Sequence, residues 1–291
     1  MKTKNNIAII MAILAAILFA ISSPISKILL KEIPPTMMAA LLYLGAGIGM
    51  SILWLIRRKF GNAEEEKHLT KEELPYTIGM VLLDIAAPIF LMLGLRMTTA
   101  ANVSLLNNFE IVATSMIALF IFKEVITKKL WFAIILITLS SMILSIDNIS
   151  SFSFSYGSIF VLLACVCWGV ENNCTRMLSV KDPLEIVIIK GLGSGFGSLL
   201  IASLLRESSN HIGFILIALF LGFVSYGLSI FFYVYAQREL GAAKTSAYYA
   251  IAPFIGVVFS FILFHQIPTI PFIIALTIMM IGTYYATTDR K

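Results

Sequence analysis

Apolar residues in this chain do not alternate with polar ones as they would in a soluble domain; they come in long blocks separated by short polar or charged breaks. Ten such blocks recur, at residues 7–30, 36–56, 74–95, 99–122, 130–146, 156–178, 184–205, 212–236, 242–264 and 270–287. Each is close to the roughly 20 residues that carry a helix across a hydrocarbon core. A bilayer holds no water to satisfy backbone N–H and C=O groups, so a lone apolar block crosses it as a helix. The pattern predicts an all-α membrane protein of ten transmembrane helices, with no soluble domain left over.

The blocks fall into two similar sets. The stretch at 94–127 reads GLRMTTAANVSLLNNFEIVATSMIALFIFKEVIT, and at 236–269 the chain reads AQRELGAAKTSAYYAIAPFIGVVFSFILFHQIPT. At a constant spacing of 142 residues Arg96 falls on Arg238, Ala100-Ala101 on Ala242-Ala243 and Glu124 on Gln266. The first and sixth blocks match at a spacing of 149, with Lys27 on Arg176 and Pro34 on Pro183. This divides the chain into two repeats of five helices, 1–146 and 156–288. Five is odd, so the second repeat enters the membrane from the opposite side and the two are inverted, as in many transporters.

The duplicated motif resembles the second half of the repeat in the EamA-type branch of the drug/metabolite transporter superfamily, a group of ten-helix carriers. There the helix opens on Ala-rich turn residues, has a central Glu-Pro step and ends on an acid. Here the first copy has Glu110 followed by Ile111, the second has Ala252 followed by Pro253, and the final acid is Glu124 in one copy and Gln266 in the other. The resemblance implies a carrier, commonly an exporter of amino acids, their derivatives or other small metabolites, although some relatives import.

Composition agrees with the membrane assignment. Of 291 residues 59% are hydrophobic and 13% charged, and mean hydropathy is +0.94, which leaves too few polar side chains to cover a soluble globule of this size. If the N-terminus is cytoplasmic, 17 of the 21 Lys and Arg residues fall inside and Lys27, Lys31, Arg96 and Arg206 fall outside. That bias places both termini in the cytoplasm of a bacterial cell membrane. It also explains the net charge of +5 without a nucleic-acid partner. The first block follows a basic start but is longer than the core of a cleavable signal, and it is needed for the match between repeats. Cys165, Cys167 and Cys174 share one block, and His68, His211 and His265 lie far apart, so no disulfide framework, metal site or cofactor is expected.

Polar residues deep in the spans carry the candidate chemistry, because each is costly in lipid and must face protein or a cavity. The third span has Asp84 with Pro88. The fourth has Asn107, Glu110 and Thr114 on one face, with Asn108 beside them. The sixth gathers Trp168, Glu171, Asn172 and Asn173 within two turns; Arg176 is out of phase with Glu171, which points to a partner on another helix, with Lys190 on the seventh a candidate. Tyr226 and Tyr249 lie deep enough to line a cavity. Ser22-Ser23-Pro24 predicts a kink in the first span. Gly45, Gly47 and Gly49, and Gly193, Gly195 and Gly197, predict close helix contacts rather than a phosphate loop.

No nucleophile elbow, metal-binding helix or paired-carboxylate hydrolase pattern occurs, so the chain is not expected to be an enzyme. The sequence instead predicts a secondary active transporter, an exporter of small metabolites working by alternating access around a central cavity. Glu110, Glu171, Asp84, Asn107, Asn172, Trp168, Tyr226 and Tyr249 are the candidate substrate or proton contacts, and protons are the expected coupling ion. An uncoupled facilitator, an importer and a non-transporting receptor or scaffold are the alternatives.

Overall fold

The points at which the helices start, bend and stop follow from particular residues in the computed structural model, which describes residues 2–60, 67–123, 126–148, 153–178, 181–240, 245 and 248–288. The first span is split into α1 (Lys2–Ala20) and α2 (Ser22–Leu29), because Pro24 has no N–H to return to the carbonyl of Ala20. The second and third spans are α3 (Pro35–Phe60) and α4 (Leu74–Met97). The fourth is broken at Asn107-Asn108 into α5 (Ala100–Leu106) and α6 (Phe109–Phe122), and α7 (Lys128–Ser145) is the fifth.

In the second half, α8 (Tyr156–Leu178) and α9 (Pro183–Leu204) are the sixth and seventh spans. The eighth runs from α10 (Ile212–Gly222) through a π-helical turn, Phe223–Leu228, into α11 (Ser229–Leu240). Next come α12 (Ala252–Phe264) and α13 (Ile270–Thr287). Among the described residues nine helical spans are long and apolar enough to cross a membrane, and α12 is a shorter apolar helix. Among the described residues the only extended structure is a small antiparallel ladder of β1 (Ile146–Asn148) and β2 (Ser153–Phe154), in the link between the halves.

The duplication is visible in the backbone. Lys123 ends α6 with a φ of 55° and His265 ends α12 with a φ of 49°, two left-handed caps at the same spacing of 142. Four residues further on, Thr127 and Thr269 cap α7 and α13 alike, their hydroxyls accepting from Leu130 N at 3.1 Å and Phe272 N at 3.4 Å. The break at Asn107-Asn108 is answered by the turn Ala250-Ile251 before α12. Glu124, matched with Gln266 in the sequence, lies outside the described residues.

Packing repeats in the same way. α3 packs on α9, α7 on α13 and α5 on α12, each pairing a span with its own counterpart. The contact of α4 with α8 is matched by α11 with α1, that of α6 with α8 by α12 with α1, and that of α4 with α9 by α10 with α3. Exchanging the halves maps this set onto itself, as an internal two-fold requires. Two repeats of five crossings related in this way have opposite orientations in the membrane.

The glycine runs make these contacts possible. Gly47 and Gly191 stand backbone to backbone where α3 crosses α9, with no room for a β-carbon at either. The expected pairs Gly45/Gly49 and Gly193/Gly197 pack elsewhere: the first against Leu219 and Phe223 of the eighth span, the second against Val81 and Ile85 of α4. These are again equivalent pairings. α7 and α13 form the periphery, joined where Ser140 Oγ donates to Ala275 O at 2.7 Å, while Trp131, Phe132, Ile135 and Ile274 face outward.

Candidate functional site

Four spans bring charged and polar side chains to one buried point. Lys190 of α9 lies 3.0 Å from Asp84 Oδ2 of α4 and 3.0 Å from Glu171 Oε1 of α8. The contact with Glu171 is an aligned hydrogen bond; Asp84 Oδ2 accepts none, so that contact is an ion pair only. Tyr43 of α3 donates to Asp84 Oδ1 at 3.0 Å, and Thr175 donates to the Glu171 oxygen that Lys190 holds. Asp84 is 0% and Glu171 1% exposed. Removing each ion from water costs several kcal/mol, so the cluster persists only because its members satisfy one another.

With all three groups charged, two carboxylates share one ammonium and the cluster carries one surplus negative charge. A second acid stands alongside. Glu110 Oε1 accepts from Asn172 Nδ2 at 2.6 Å, and the same amide reaches Thr114 Oγ1 at 3.3 Å. Glu110 is half-buried, and among the described residues no cationic group pairs with it. Asn172 follows Glu171 directly in α8, so the lysine-bound acid and the lysine-free acid are neighbours.

Aromatic rings close the third side. Tyr43 and Tyr226 lie 5.3 Å apart between ring centres, Phe19 is 5.8 Å from Tyr226 and 5.9 Å from Tyr249, and Tyr233 is 5.0 Å from Tyr249. Tyr226 is carried by the π-helical turn, an irregularity frequent at functional sites, and accepts from Ser22 Oγ at 3.4 Å at the break in the first span.

Of the eight residues singled out in the sequence, Asp84 and Glu171 share Lys190, Glu110 is joined to Asn172, and Tyr226 and Tyr249 flank Phe19. Trp168 is buried one turn before Glu171 on the same helix. Asn107 stands apart from the charged groups, beside a small void at the helix breaks. The Glu171–Lys190 pair was expected, whereas Tyr43 and Thr175 were not, since a tyrosine in an apolar run reads as ordinary packing. Asp84, Glu171 and Lys190 are buried in this arrangement, and the void beside Asn107 leaves only ≈ 10 Å³ for a water-sized molecule. The helices meet at glycines and close over the acids.

A sequence model of the EamA-like transporter family matches residues 6–146 and again residues 155–288. The chain belongs to that family. It is 28% identical, over 87% of its length and 78% of the relative's, to an "Uncharacterized transporter" of Methanothermobacter thermautotrophicus. It is 25% identical to the "Uncharacterized transporter YyaM" of Bacillus subtilis, over 74% of this chain and 73% of that one. A solved structure titled "Crystal structure of protein" superposes with a TM-score of 0.67 at 16% identity, covering 96% of this chain and 95% of that one, a likeness of fold. This EamA-like protein is an integral membrane transporter, and its substrate is a small molecule.

Proposed function

We propose that the chain is a proton-coupled exporter of small metabolites such as amino acids or their derivatives. Its two repeats, 1–146 and 156–288, rock about the buried acids in the cytoplasmic membrane, with both chain ends inside. The observation that carries the proposal is the arrangement of Asp84, Glu171 and Lys190, with Glu110 next to them. Two carboxylates on one ammonium hold a surplus charge in a place where charge is expensive, and taking up one proton neutralises it. A carrier that must release a proton to hold a cationic or zwitterionic solute, and regain it to reset, couples the two flows.

Latches at opposite faces support alternating access. On the face with the chain ends, the segment before α4 is tied to the start of α9: Lys181 pairs with Glu73 at 2.9 Å and Leu69 N donates to Glu185 Oε2 at 3.1 Å. On the other face, the segment before α10 is tied to the start of α3: Met37 N and Thr36 Oγ1 donate to Glu207 at 2.9 and 3.2 Å. These are equivalent positions in the two repeats. Releasing one latch while the other holds opens the site to one face.

The test is counterflow in proteoliposomes with a mixture of labelled amino acids and amines. Exchange above that of protein-free liposomes is expected for at least one compound. Absence of exchange for every compound, from protein that melts cooperatively, would contradict amino acids and amines as the transported solutes.

A further inference from the structure

A second constellation lies away from the charged cluster, where the breaks in the first, fourth and ninth spans meet. Phe19, Ala20, Ser23, Ser104, Asn107, Ala252, Pro253 and Gly256 surround a partly enclosed void with room for about one water-sized sphere. Ser104 Oγ and Asn107 Oδ1 are buried there and have no hydrogen-bond partner. Their residues are only 3% and 8% exposed, and such orphaned polar atoms are costly. A third oxygen comes from the backbone: Pro24 cannot return a hydrogen bond to the Ala20 carbonyl. A β-carbon added to Gly256 would stand 2.7 Å from Ser104 Oγ and 3.2 Å from that carbonyl oxygen, so both line the place a side chain would fill.

The chemistry of the lining narrows the occupant. Among the described residues it contains no carboxylate, imidazole or thiol, which disfavours divalent and transition metals, and no lysine or arginine, which disfavours an anion. Neutral carbonyl, amide and hydroxyl oxygens at discontinuous transmembrane helices instead suit a small monovalent cation. We propose that this void is a site for a small monovalent cation, sodium or potassium, separate from the Asp84–Lys190–Glu171 cluster. A bound ion joins the first and fourth spans of one repeat to the ninth span of the other, so its occupancy favours the closed arrangement.

The experiment is thermal melting of the purified full chain in detergent, titrated with sodium chloride at constant ionic strength against choline chloride, and repeated with potassium chloride. Sodium is expected to raise the melting temperature saturably above choline, and potassium, which is about the size of a water, is expected to do the same. Gly256→Ala drives a β-carbon against Ser104 Oγ and the Ala20 carbonyl and is expected to abolish the sodium effect. Because that clash also disturbs packing, Ser104→Ala is the second variant: it removes one oxygen, adds no volume and is expected to weaken sodium roughly tenfold or more. Equal melting in sodium, potassium and choline means a trapped water and overturns the proposal. A sodium effect undiminished in Ser104→Ala places the ion elsewhere and overturns it equally. No transport is measured, so neither result bears on the proton-coupled carrier.

Discussion

Asp84 and Glu171, on different helices, hold one ammonium group between them: Lys190 Nζ is 3.0 Å from an oxygen of each. The group is shared across α4, α8 and α9, so it joins the two repeats at the depth where lipid would not tolerate any of its members alone.

Removing the lysine therefore leaves two buried carboxylates facing each other. Lys190→Met is expected to destabilise the protein by about 3–5 kcal/mol, the range for breaking a buried ion pair from one side. Combining it with Asp84→Asn and Glu171→Gln, which removes the charges together, is expected to restore most of the loss. Thermal melting of the single and triple variants checks this, and a triple variant no more stable than the single would contradict it.

Tyr43 supports the cluster through one hydrogen bond from its hydroxyl to Asp84 Oδ1. Tyr43→Phe keeps the ring against Tyr226 and removes only that bond. A loss of about 1–3 kcal/mol is expected, as for a hydrogen bond to a charged acceptor. It is expected to disappear in an Asp84→Asn background if Asp84 is the partner that matters, which a double-mutant cycle measures.

The glycine contacts predict a contrast between two substitutions of the same kind. Gly191→Ala pushes a β-carbon into the backbone of Gly47 and is expected to cost about 1–3 kcal/mol or more. Gly213→Ala, near the start of α10, meets nothing within 4 Å and is expected to be neutral or stabilising by about 0.4–1 kcal/mol. Melting temperatures that move together for both would show that the α3–α9 crossing does not need its glycines.

The latches predict opposite local openings. Glu207→Ala is expected to speed amide hydrogen exchange around 34–38 and leave 67–70 unchanged, while Glu185→Ala is expected to do the reverse. Faster exchange at both faces in either variant would mean that the two latches are not independent.

Much of this fold was legible before any coordinates, because a bilayer leaves an apolar block so little choice. The ten spans, the kink before Pro24 and the two-fold repeat all follow from that constraint and from the spacing of matched residues. The Glu171–Lys190 pair was legible for a related reason, since a mid-span acid without an intrahelical partner needs one on another helix. Tyr43 was not, because nothing local separates a hydrogen-bonded tyrosine from a packing one; the crossing of α3 with α4 decides it. Gly45 and Gly193 were readable as contact residues but not as contacts to the eighth and third spans, since small size names no partner. Whether helices close over a polar cluster was not legible for the same reason: it depends on how nearly their backbones approach.

The coupling of proton movement to solute movement is the central claim, and accumulation of labelled amino acids and amines in proteoliposomes under an imposed pH gradient tests it most directly. The wild-type protein is expected to accumulate its substrate only with the gradient present, and a variant with Asp84→Asn and Glu171→Gln is expected to exchange solute without responding to the gradient. Equal accumulation by the wild type with and without the gradient would contradict the claim and leave an uncoupled facilitator.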